Sequence, residues 1–203
     1  MLRQAYKAYR SIGREMVYEI VISTTRHVTP PVRRLARELS YFLWSAKRIN
    51  RGGSSFEELV ALARVLGAKR LIIVGRGLHG NPGRMFFYSI EGGEAVPILT
   101  LWLRGVVFPQ KLRSVRKPKS PILVLSTGRC RDTAEDVGEE MAYALNSLYV
   151  GCVTEEHVAS FREVRLLVIE HVLSNKLAYV IKFVENSQEL GLKILVRLVK
   201  VRV

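Results

Sequence analysis

Apolar residues along the chain alternate between β-like runs and helix-spaced stripes, in an order that occurs twice. In residues 1–14, Arg3, Lys7, Arg10 and Arg14 recur at i, i+4, i+7 and i+11. That spacing predicts an amphipathic helix with one basic face. Val17–Thr24 is a β-rich run. Thr29 and Pro30 then offer a helix N-cap and a first helical residue. The helix they open keeps Val32, Leu35, Ala36, Leu39, Phe42 and Leu43 on one stripe, with Arg33, Arg34 and Arg37 on other faces. Residues 47–50 form a short strand candidate. Ser55 and Glu58 are spaced as a capping box, opening a helix that Gly67 ends. Residues 70–74 read as a buried strand, Gly75–Gly83 as a turn-rich stretch, and residues 84–90 and 96–103 as a hairpin around Gly92 and Gly93.

The pattern then restarts. A strand is predicted over 122–127, a helix over Asp132–Leu148, and an antiparallel meander over 164–173, 177–184 and 192–201. A shift of 103 residues lays Ile20–Thr24 over Leu123–Thr127. A shift of 95 lays Arg70–Val74 over Arg165–Ile169. The expected architecture is α/β (α+β): two similar halves from an internal duplication, each a mixed sheet with helices. The divisions are a basic N-terminal segment (1–15), an N-terminal half (16–108), a basic linker (109–120) and a C-terminal half (121–203).

Composition narrows what such a fold is for. The chain has 203 residues and is 48% apolar, enough for a core and unlike a disordered basic tail. Its longest apolar runs fall far short of a membrane span, and no signal peptide is evident. A soluble, cytoplasmic protein is expected. The net charge is +14, and it is unevenly placed. Residues 1–120 hold 22 Lys+Arg against 7 Asp+Glu, a net of +15, whereas residues 121–203 are close to neutral at −1. Such asymmetry predicts a localised polyanion-binding face. The helix of the first half carries arginines. Its counterpart carries Glu135, Asp136, Glu139 and Glu140.

Other chemistries are poorly supported. Gly75, Gly77 and Gly80 match G-x-G-x-x-G, but a dinucleotide site needs a helix opening behind the loop. Here Asn81, Pro82 and Gly83 lead into a strand, so the loop reads as a cationic phosphate grip carrying Arg76, His79 and Arg84. Cys130 and Cys152 read as small buried residues or a partly exposed thiol, with pairing left open. No metal, cofactor or catalytic residue is expected. A nuclease relying on Asp136 or Glu139 is the enzymatic alternative.

The segments Ser23–Arg26, the Pro30–Leu39 helix, Ile49–Gly52, Leu71–Val74 and Gly80–Arg84 resemble, in order and spacing, the Brix domain of ribosome-biogenesis factors. The resemblance is strong over about residues 20–103 and looser beyond. The short chain is similar to archaeal members. One departure is Glu94–Pro97, where eukaryotic members often have Gly-Pro-Thr-Ala. The resemblance implies two halves each similar to the anticodon-binding domain of class IIa aminoacyl-tRNA synthetases. It also implies binding of ribosomal RNA or pre-rRNA during processing and subunit assembly, with ribosomal proteins or other assembly factors as further partners. It implies no catalysis, no membrane and no small-molecule substrate. The residues expected to hold RNA are Arg26, Arg33, Arg34, Arg37, Arg48, Asn50, Arg51, Arg76, Asn81 and Arg84, with Lys111, Arg113, Arg116 and Lys117 of the linker. The alternative is a scaffold that recruits another assembly factor through the acidic C-terminal half.

Overall fold

A computed structural model describes residues 18–110, 115–128, 132–172, 174 and 176–201. The basic helix expected over 1–14, together with Lys111 and Arg113, lies outside them. The first half runs β1 (Ile20–Thr24), α1 (Pro30–Phe42), β2 (Ala46–Arg48), α2 (Phe56–Val65), β3 (Arg70–Arg76), β4 (Pro82–Ser89) and β5 (Val96–Val107). The second runs β6 (Leu123–Thr127), α3 (Asp132–Ala144), β7 (Leu148–Cys152), α4 (Glu155–Val158), β8 (Arg165–His171), β9 (Tyr179–Glu185) and β10 (Gln188–Val201).

All ten strands join one mixed sheet in the order β2-β1-β3-β4-β5-β10-β9-β8-β6-β7. Each half uses the same order outward from the seam. Its first, second and third strands are parallel, and the last three form antiparallel pairs. The seam is the antiparallel β5–β10 pair.

Side chains alternate across the sheet, so β1 serves two cores at once. Ile20 and Ile22 join a cluster built on α1 and α3, while Val21 joins one built on α2. Burial on both faces explains why β1 reads as a continuous apolar run rather than an alternating one. The α1–α3 cluster spans both halves, with Phe42 and Phe183 rings 4.8 Å apart.

Two buried arginines tie the halves reciprocally. Arg70 opens β3, and its Nε donates to the Tyr143 carbonyl at the end of α3 (2.9 Å). Arg165 opens β8, and its Nη1 donates to the Tyr41 and Phe42 carbonyls at the end of α1 (3.0 and 3.4 Å). Each half's arginine thus donates to carbonyls at the end of the other half's long helix. Arg70 pairs with Glu91 and Arg165 with Glu185.

Three expectations are corrected. The helix predicted over Asp132–Leu148 stops at Ala144, because Asn146 takes a left-handed conformation (φ 49°). Leu148, expected on its apolar stripe, begins edge strand β7 and is 65% exposed. Strand β5, expected to end at residue 103, continues to Val107, so Arg104 is a strand residue. The sequence left cysteine pairing open, and Cys152 is disulfide-bonded; the chain's other cysteine, Cys130, lies outside the described residues.

Candidate nucleic-acid interface

Strands β2, β1 and β3 are parallel, so their carboxyl ends share one edge of the first half. Helix α1 starts there, directly after β1, and β4 enters there after the turn at Leu78–Gly80. This topology gathers Arg26, Arg33, Arg48, Asn50, Arg51, Arg76, Asn81 and Arg84 at one end of the sheet, from segments far apart in sequence. Arg37 lies one turn further along α1.

The centre of this region is an open groove of about 580 Å³ lined by Pro30, Pro31, Arg33, Arg34, Arg37, Arg48 and Phe108. Four guanidinium groups line it and no carboxylate does. Burial holds the Arg48 guanidinium below its ordinary range, and the like charges of Arg37 and Arg33 add to the effect. The first turn of α1 has no acid, and Arg33 and Arg34 sit near the positive end of the helix dipole, where cations are unfavourable. An anion bound there would relieve both repulsions. In the second half, the shift of 103 puts Asp136 and Glu140 where Arg33 and Arg37 stand. There burial and the charges of Glu139 and Asp136 raise the Glu140 carboxyl. The two halves present opposite signs on equivalent helices.

Not every expected cation is free to hold a ligand. Arg34 donates to the buried Glu38 carboxylate (2.6 Å) and to the Pro109 carbonyl (3.1 Å), and stacks on Phe108. It fastens the end of β5 to α1. Arg26 donates to the Gly53 and Ser54 carbonyls, and Arg51 donates to that of Ser54. Arg48 holds Asn50 through its Nη2 (2.6 Å). These bonds knit the loop after β2, in which Gly52 is left-handed (φ 57°). Arg116 and Lys117 lie at the other end of α1. Lys117 donates to the Ala46 carbonyl and sits over the Tyr41 ring, and the Arg116 carbonyl accepts from Arg165. They extend the stripe of Arg33, Arg37 and exposed Tyr41 rather than joining the groove.

The glycine loop has a steric reason. A Cβ on Gly83 would lie 2.3 Å from the Gly77 Cα, because the loop's two stems cross there. The Thr29 hydroxyl donates to the Gly80 carbonyl instead of capping α1, which fastens the loop beside the groove. No helix opens behind the loop, so the helix N-terminus that a dinucleotide site needs is missing here. Gly83→Ala is expected to lower the unfolding free energy by roughly 2 kcal/mol, read by urea denaturation; an unchanged midpoint would contradict the crossing.

Among the described residues, no three His, Cys, Asp or Glu side chains converge as a metal site, and no helix is long and apolar enough to cross a membrane.

No protein-family model matches the chain. Two curated proteins are similar to it, both named "Probable Brix domain-containing ribosomal biogenesis protein". The one from Aeropyrum pernix is 34% identical over 93 residues, which are 45% of this chain and 51% of that protein. The one from Sulfurisphaera tokodaii is 35% identical over 72 residues, 36% of this chain and 40% of that protein. The chain therefore matches about half the length of these relatives or less. Among solved structures, a probable ribosomal biogenesis protein from Aeropyrum pernix K1 superposes with a TM-score of 0.69 at 24% identity, covering 89% of this chain and 96% of the other. Mil, an archaeal Imp4-like protein, superposes with a TM-score of 0.63 at 20% identity, covering 90% and 99%. The large mixed sheet with few helices is the fold of these proteins.

Proposed function

We propose that this chain is a non-catalytic ribosome-assembly factor of the Brix type that binds folded ribosomal RNA through the α1 groove. The observation that carries this reading is the groove's composition: Arg33, Arg37 and Arg48 converge with no acid beside them. The names of the relatives supply the ribosomal context. Phosphates of two RNA segments would lie along α1 and the carboxyl ends of β1–β3. Shape rather than base sequence is read, because guanidinium–phosphate contacts carry no sequence information. The factor would hold precursor RNA in an arrangement competent for processing and then leave, with assembly factors or ribosomal proteins as further partners.

Ultraviolet crosslinking in cells, with mapping of the joined nucleotides and peptides, tests this reading. Crosslinks should fall on ribosomal RNA and on peptides within residues 26–51 and 76–84. Crosslinks confined to the acidic α3 surface and to another protein would favour the scaffold alternative.

A further inference from the structure

Arg84 was expected among the phosphate-binding residues of one site, but the register places it on the sheet face opposite the α1 groove. Met85 and Phe87 point into the α1–α3 core, so Arg84 and Phe86 point the other way. Cross-strand pairing then sets Arg84, Trp102 and Leu198 in one row over β4, β5 and β10, with Phe86, Thr100 and Lys200 in the next.

Trp102 is partly exposed and joins none of the three apolar clusters. Leu198 beside it is 53% exposed. The Arg84 guanidinium lies 6.0 Å from the Trp102 ring centroid. Arg84, Arg104, Arg197 and Lys200 are exposed around this row, and none makes an ion pair among the described residues.

We propose that this outer sheet face binds an unpaired RNA strand, with a base stacked on Trp102 and flanking phosphates held by Arg84, Arg104 and Lys200. A flat aromatic ring on a sheet, ringed by cations without acids, suits an exposed base and its phosphates. A base-paired helix hides its bases and cannot use the ring. Charge also favours RNA over an apolar protein partner. The face lies on the seam between the halves, around the sheet edge from the α1 groove. A strand leaving folded RNA in the groove would meet it. The inference rests on the chain being an RNA-binding factor, but it concerns a different surface and a different RNA form.

The test uses the full chain with two labelled probes: a CA-repeat RNA of about a dozen nucleotides, which does not pair, and a stable RNA hairpin. Trp102→Ala should weaken CA-repeat binding about tenfold and leave hairpin binding unchanged, while Trp102→Phe should keep both. In a Trp44→Phe background Trp102 is the one remaining tryptophan, and the CA-repeat RNA should quench its emission. Undiminished CA-repeat binding by Trp102→Ala would overturn the proposal. So would Trp102 emission that does not change at saturating RNA, or a dimer in sedimentation that Trp102→Ala dissolves. If the hairpin fails to bind while the CA-repeat RNA quenches Trp102, the α1 groove reading fails and this one stands. A protein that binds neither RNA overturns both.

Discussion

Arg165→Met should remove about 3–5 kcal/mol of folding stability, the largest effect expected of any single substitution in this chain. Arg165 is 2% exposed, and its guanidinium serves four acceptors: the carbonyls of Tyr41, Phe42 and Arg116 and the Glu185 carboxylate. Methionine fills most of the volume but donates nothing. The end of α1 would keep buried carbonyls without partners, and each such group costs about 1–3 kcal/mol. Lysine keeps the charge, but a single ammonium cannot span acceptors on a helix, a linker and a strand. Arg165→Lys should therefore fall between wild type and Arg165→Met. Arg70→Met should cost less, since Glu91 is 46% exposed and water can replace part of what it loses. Urea denaturation at constant m-value measures all three. A loss below about 1 kcal/mol for Arg165→Met would contradict the reciprocal arginine bonds to the helix ends.

Reversing Arg33, Arg37 and Arg48 together to Glu should have the opposite profile: little effect on the fold, and a large one on RNA. Neither Arg33 nor Arg37 has an ion pair among the described residues, and Arg48 holds only Asn50. Arg33→Glu alone should raise stability by about 0.3–1 kcal/mol, because it places an acid near the positive end of α1. Affinity for structured ribosomal RNA at low salt should fall roughly a thousandfold, as three phosphate contacts are lost and repulsion is added. Retained affinity would shift the account to the scaffold role of the second half. The pairing of raised stability with lost binding separates a functional charge cluster from a structural one.

Much of this arrangement is legible in the sequence, and the gaps have physical causes. The strand–helix order and the two shifts fall on register-equivalent strands, since apolar periodicity and turn residues are local signals. Helix α1 and the capping box of α2 are likewise local; Ser55 and Glu58 make both reciprocal bonds. Strand β7 is hidden because Leu145 and Leu148 continue a helical stripe, and only the left-handed turn at Asn146 breaks it. The arginine group is legible as a surplus over acids, but its division is not. Arg34 and Arg165 look alike in sequence to Arg33 and Arg37. Which arginines bind carbonyls and which stay open depends on helix ends brought together from the other half. Sorting Arg84 from Arg48 requires knowing which side of each strand faces α1, a matter of register that charge counting does not see.

The most direct test of the α1 groove is the salt dependence of RNA binding, comparing wild type with a variant carrying Arg33→Ala, Arg37→Ala and Arg48→Ala. Wild-type affinity should fall steeply and linearly on logarithmic axes as salt rises, and the variant's slope should be shallower by about 2–3, close to one per phosphate released. Identical slopes, or wild-type binding that stays flat from low to moderate salt, would contradict phosphate neutralisation by this groove.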